Sequence, residues 1–136
     1  MSYYFSKTTD DSFEEVLTKV ADELKKEGFG VLTEIDVRET LKKKLDVNFQ
    51  RYKILGACNP SFAYEALQAE NKIGVLLPCN VIVQELPDEK VEVAAIDPVQ
   101  SMQAVGNPTL QVIAEQIQAK LRNVINNFDK KETGNG

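Results

Sequence analysis

The spacing of apolar and polar positions along the chain switches repeatedly between the period of a strand and that of a helix. SYYFSKT, residues 2–8, reads as an opening strand of aromatic and polar residues before a polar turn. From Phe13 the period changes. Phe13, Val16, Leu17, Val20 and Leu24 recur at helical spacing, and Gly28 stops the helix. Ser12 and Glu15 make a capping box at its start, in which hydroxyl and carboxylate each satisfy a free amide. FGVLTEID then predicts a second strand, and Asp36 is placed to cap a short helix striped by Val37, Leu41 and Leu45. RYKILGAC, residues 51–58, predicts a third strand. Period two puts Tyr52, Ile54, Gly56 and Cys58 on one face and Arg51, Lys53, Leu55 and Ala57 on the other.

Asn59-Pro60 is a helix start, because Asn caps free amides and Pro suits the first helical position. That helix carries Phe62, Ala63, Ala66 and Leu67. GVLLPCNVIVQE and EKVEVAAID predict a hairpin turning at Leu86-Pro87-Asp88-Glu89. A short, helix-compatible PVQSMQAV leads to a second start, Gly106-Asn107-Pro108-Thr109. It opens the longest helix, with Leu110, Ile113, Ile117, Leu121, Val124 and Phe128 as the buried stripe. The echo between Cys-Asn-Pro-Ser and Gly-Asn-Pro-Thr fits either duplicated halves or repeated use of a good cap. Five strands and three substantial helices in this order predict a single α+β domain over residues 1–129. Its sheet is expected to be mixed but largely antiparallel, with helices packed mainly on one face, and residues 130–136 to form a flexible tail.

Composition narrows the chemistry. A chain of 136 residues with 43% hydrophobic content can build one real core. No apolar run approaches a membrane span, and the N-terminus does not look like a signal peptide, so a cytoplasmic location is expected. The net charge of −5 lacks the basic footprint of a duplex-binding protein, so no nucleic-acid partner is expected. Histidine is absent, which excludes Ser-His-Asp and Cys-His catalysts within this chain. There is no Walker loop and no G-x-G-x-x-G, so no cofactor is expected.

The two cysteines, each beside an asparagine, are the remaining candidates: Cys58-Asn59-Pro60 and Pro78-Cys79-Asn80. Cys58 precedes a helix start, where the dipole can lower a thiol pKa; it equally suits the core beside Tyr52 and Ile54. Cys79 is in phase with Leu77, Val81 and Val83 on a buried face, while Pro78 argues for an edge strand or a bulge. A parallel crossover through residues 60–70 would bring both sulfurs to one level of the sheet. Their spacing is not C-x-x-C, and two further zinc ligands are lacking, so no metal site is expected. Asn59 reads as a cap or a rim amide. Asn80 is harder to account for, because Asn is disfavoured in strands. The basic cluster Arg38, Lys42, Lys43, Lys44, Arg51 and Lys53 fits an anionic ligand or simply solvated faces.

Several of these segments together resemble the family known as domain of unknown function 302. They are Gly28-Phe29, Tyr52-Lys53-Ile54-Leu55, Cys58-Asn59-Pro60 before Ala63 and Leu67, Leu76-Leu77-Pro78-Cys79-Asn80, and Ile96-Asp97-Pro98. The resemblance runs from about Phe13 to Leu121 and implies a compact α+β domain similar in layout to the TATA-binding-protein-like fold. It implies no reaction, and resemblance to that fold does not imply DNA binding. Two functions stay open. One is a non-catalytic module that binds a small molecule or partner at Cys58, Asn59, Cys79 and Asn80. The other is a thiol-dependent redox or detoxifying protein acting through the two cysteines. Ile82, Ala94 and Ile96, opposite the main core-facing set, predict an apolar patch and a homodimer.

Overall fold

The computed structural model describes residues 2–130. The elements run β1 (Tyr4–Thr9), α1 (Phe13–Lys26), β2 (Gly30–Asp36), α2 (Val37–Leu45), β3 (Tyr52–Cys58), α3 (Pro60–Ala69), β4 (Cys79–Glu85), β5 (Val91–Ile96), α4 (Pro98–Ser101) and α5 (Pro108–Asn127). The expected tail lies outside the described residues from 131 onward.

The strands form one sheet in the order β1-β5-β4-β3-β2, and every neighbouring pair is antiparallel. This overturns the parallel crossover expected between β3 and β4. The link from Asn59 to Pro78 holds α3 and a tight 3-10 turn at Ile73–Leu76, and it returns the chain to the end of the sheet it left. The apolar run 73–76 therefore does not extend β4, which starts only at Cys79.

One face of the sheet is covered. The stripe Phe13, Val16, Val20 and Leu24 of α1 and the α5 stripe Leu110, Ile113, Ile117, Leu121 and Val124 are buried against Leu55, Ala57, Val81, Val83, Val91, Val93 and Ala95. The core side of β3 is thus the Leu55 and Ala57 face, and Tyr52 and Ile54 stand on the other. Arg51 and Lys53 made the true core face look polar. In the fold they reach past its rim: Arg51 stacks over the Phe13 ring at 4.2 Å, and Lys53 pairs with Glu34 at 2.7 Å. α2 buries no residue, and Leu45 at the end of its expected stripe is exposed.

The caps follow the residue types. Oγ of Ser12 accepts from the Glu15 N–H at 3.2 Å and donates to the Glu15 carboxylate at 3.3 Å. Asp36 caps α2. Asp97, the one buried charged residue among those described, accepts from the Val99 N–H, and both its carboxylate oxygens accept from Gln118 Nε2, at 2.9 and 3.1 Å. That ties the start of α4 to the middle of α5. Among the described residues, no helix is long and apolar enough to cross a membrane.

Candidate functional site

The connection from β3 through α3 to β4 positions three of the four candidate residues. Antiparallel pairing sets Ala57 opposite Cys79, so Cys58 and Cys79 lie at the same end of neighbouring strands. Matching levels were expected from a crossover; a return to the same sheet end produces them instead. Cys79 is buried on the core face with Val81 and Val83, and Cys58, the last residue of β3, is half-buried. Both are free thiols. Burial, with Cys58 nearby, pushes the Cys79 thiol up to about 11. It is therefore protonated near neutrality, the form that does not attack electrophiles.

Cys58 and Cys79 both line a cavity of about 310 Å³ between α3 and the sheet. Its walls are Phe29 and Leu32 from the β2 side, Phe62, Ala63, Ala66 and Leu67 of α3, Leu77 and Pro78 before β4, and Ile117 of α5. Among the described residues, the only polar side chain in the lining apart from the two cysteines is Asn59. Exposed Leu32 and Leu67 open the cavity to solvent. Ligand pockets run from about 300 Å³ upward, so this one suits a small ligand.

Asn59 occupies the N-cap position of α3, but its side chain makes no cap bond. Its Nδ2 donates to the Glu27 carbonyl at the end of α1, at 3.3 Å. Gly28 there has φ +87, a left-handed conformation that ends α1; a Cβ would stand 3.0 Å from the Asn59 amide nitrogen. Asn107, in the matching start of α5, caps fully. Its Oδ1 accepts from Thr109 and Leu110, and its Nδ2 donates to Ala69 at the end of α3. Each asparagine thus links its helix start to the end of an earlier helix, but only Asn107 also caps.

Asn80 does not join the cavity. It follows Cys79 in a strand, so it projects to the opposite face and sits exposed in a hollow with Tyr52, Ile82 and Ala94. Pro78 does not mark an edge or a bulge either: β4 is central, and the bulge lies in β2 between Val31 and Thr33. The basic cluster is divided. Lys42 pairs with Asp46, Arg51 with Glu14 and Lys53 with Glu34. Among the described residues, no three acidic or thiol side chains gather as metal ligands.

Phe29, Phe62 and Ile117 were not singled out as site residues from the sequence. Their cue was only a helical or strand stripe, which marks core and cavity wall alike.

The fold and cavity define a small α+β domain with a five-stranded antiparallel sheet, one helical layer and an apolar hollow beneath α3. The family profile for Domain of unknown function DUF302 matches residues 5–128, and the chain belongs to that family. Among solved structures it is similar to the uncharacterized conserved protein DUF302 from Bacillus stearothermophilus. That likeness has a TM-score of 0.86 at 26% identity and covers 93% of this chain and 98% of the other. No curated protein matches.

Proposed function

We propose that this domain is a non-catalytic module that binds a small apolar ligand in the cavity beneath α3. The observation that carries the reading is the lining: among the described residues, a 310 Å³ hollow otherwise walled by apolar residues holds only Cys58, Cys79 and an Asn59 amide already donating to Glu27. A cavity of about 150 Å³ lined by aliphatic side chains accommodates benzene, so this one has room for a two-ring or short branched-chain ligand. The thiol-dependent alternative fits less well, because the Cys79 sulfur is buried and its pKa raised. Free thiols suit a reducing, cytoplasmic setting.

The neutral two-ring fluorophore 1-aminonaphthalene, whose emission shifts to the blue in apolar surroundings, tests the reading. One saturable site per chain is expected, weakened about tenfold in Ala63→Leu, which fills the hollow. Absence of a saturable site, or an unchanged affinity in Ala63→Leu, defeats it.

Self-association belongs to the same reading, through a different surface from the one the sequence pointed to. Ile82, Ala94 and Ile96 are half-buried, with Tyr3 and Tyr4 beside them in one hollow. The larger exposed apolar surface surrounds the free edge of β2: Val31, Leu32, Ile35, Leu45, Val47 and Phe49. An edge strand without Pro or Lys invites pairing, and a second copy of the same strand can pair with it antiparallel. Light scattering should show a dimer that Leu32→Lys converts to a 15.2 kDa monomer. A wild-type monomer at micromolar concentration removes this part of the proposal.

A further inference from the structure

The uncovered face of the sheet carries a second hollow, of about 340 Å³, away from the cavity beneath α3. Its floor is Ile82 and Ala94, paired across β4 and β5. Three tyrosines surround it. Tyr3 and Tyr4 stand at one end with ring centroids 5.0 Å apart and planes at 68°. The Tyr3 carbonyl accepts from the Asp97 N–H at 2.8 Å, which fixes the chain where it enters β1. Tyr52 stands at the other end, in register with Gln84. Burial, with Tyr3 and Glu92 close by, pushes its phenol up, so it remains a neutral donor.

Among the described residues, Glu92 is the only charged side chain in the lining, and no basic residue shares it. Its carboxylate is held in place by a relay. Gln50 Nε2 donates to Gln84 Oε1 at 2.9 Å, and Gln84 Nε2 donates to Glu92 Oε1 at 2.8 Å. One donated bond leaves a carboxylate with several lone pairs to offer. Aromatic faces carry negative potential, an anion would be repelled by Glu92, and a net charge of −5 favours approach of cations.

We propose that this hollow binds a small organic cation with a compact apolar body, of the alkylammonium class. Tyr3, Tyr4 and Tyr52 line the hollow with aromatic rings that can hold the charge, Ile82 and Ala94 support the apolar part, and Glu92 supplies the counter-charge. The site goes beyond the apolar cavity beneath α3 and stands or falls separately, since the two share no lining residue.

The test uses choline and its uncharged isostere 3,3-dimethylbutan-1-ol on the full chain, followed by methyl NMR at Ile82 and Ala94 and by tyrosine fluorescence. Choline should shift both methyls saturably, and the alcohol should bind at least about tenfold more weakly. Glu92→Gln, close in shape to the native residue, should weaken choline about tenfold. Tyr52→Phe keeps the ring face and should bind near the wild-type level, whereas Tyr52→Leu should not. Unmoved methyls, equal binding of the alcohol, or full choline affinity in Glu92→Gln or in Tyr52→Leu overturns the proposal.

Discussion

Gly56 lies where two neighbours leave no room for a side chain, and Gly56→Ala measures how tightly the cavity's end of the sheet is packed. A Cβ built there meets Oγ1 of Thr33 at 2.2 Å and Cγ of Pro78 at 2.9 Å, against a comfortable separation of about 3.5–4.0 Å. Thr33 is the β2 partner of Gly56 just past the bulge; being β-branched, it has few alternative rotamers. Pro78 is a ring and moves only with its backbone. Overpacking of this kind costs about 1–3 kcal/mol, and two simultaneous short contacts place the cost in the upper half of that range. Reduced freedom of the unfolded chain returns about 0.4–1 kcal/mol, leaving a net loss of about 1–2.5 kcal/mol. Urea titration followed by circular dichroism and tyrosine fluorescence reads this directly, since the chain has no tryptophan. In a Thr33→Ala background the loss should shrink by about half, because the shorter contact disappears while Pro78 remains. A Gly56→Ala protein as stable as wild type would refute the packing assigned to this strand pair.

Asn107→Ala should cost about 1–2 kcal/mol in the same titration, through loss of two cap bonds and the link to Ala69, whereas Asn59→Ala should cost about 0.5–1 kcal/mol because it loses one bond and no cap. Equal costs would mean that the two helix starts do not differ as described. Asp97→Ala should cost about 2–3 kcal/mol, since it frees the α4 start and leaves Gln118 without its buried acceptor. The Cys79 thiol titrates in the folded protein near 11 against an ordinary 9.0. A raised folded pKa gives stability that is fully present below pH 9 and lost as pH rises toward 11, at up to about 1.4 kcal/mol per pH unit. Cys79→Ala should flatten that slope, and alkylation of native Cys79 should stay slow until the same window; a fast neutral-pH reaction at Cys79 would contradict its burial.

The helical stripes were legible because each repeats its period over several turns. Phe13 to Leu24 and Leu110 to Phe128 are buried as their spacing requires. Cys79, Val81 and Val83 were legible for the matching reason in a strand. The faces of β3 were not. Its core side holds Arg51 and Lys53 beyond the rim, and period two cannot say which of two half-polar faces meets the helices. Strand direction was hidden as well, because a helix of ten residues plus a tight turn can end at either end of a sheet. Cys79 and Asn80 are adjacent in the chain, so the sequence suggested one site; alternation across the sheet places them in different hollows. The cluster of Tyr3, Tyr52 and Glu92 spans most of the chain and only strand order brings it together.

Ligand binding beneath α3 is tested most sharply by a methyl NMR titration of the wild-type chain with indole, a neutral two-ring compound matched to the 310 Å³ cavity. Saturable shifts are expected at Ala63, Ala66, Leu67 and Ile117, with the affinity about tenfold weaker in Ala63→Leu and Ile82 and Ala94 on the other face unmoved. Shifts confined to the open face of the sheet, or none at the α3 and α5 methyls, would contradict it.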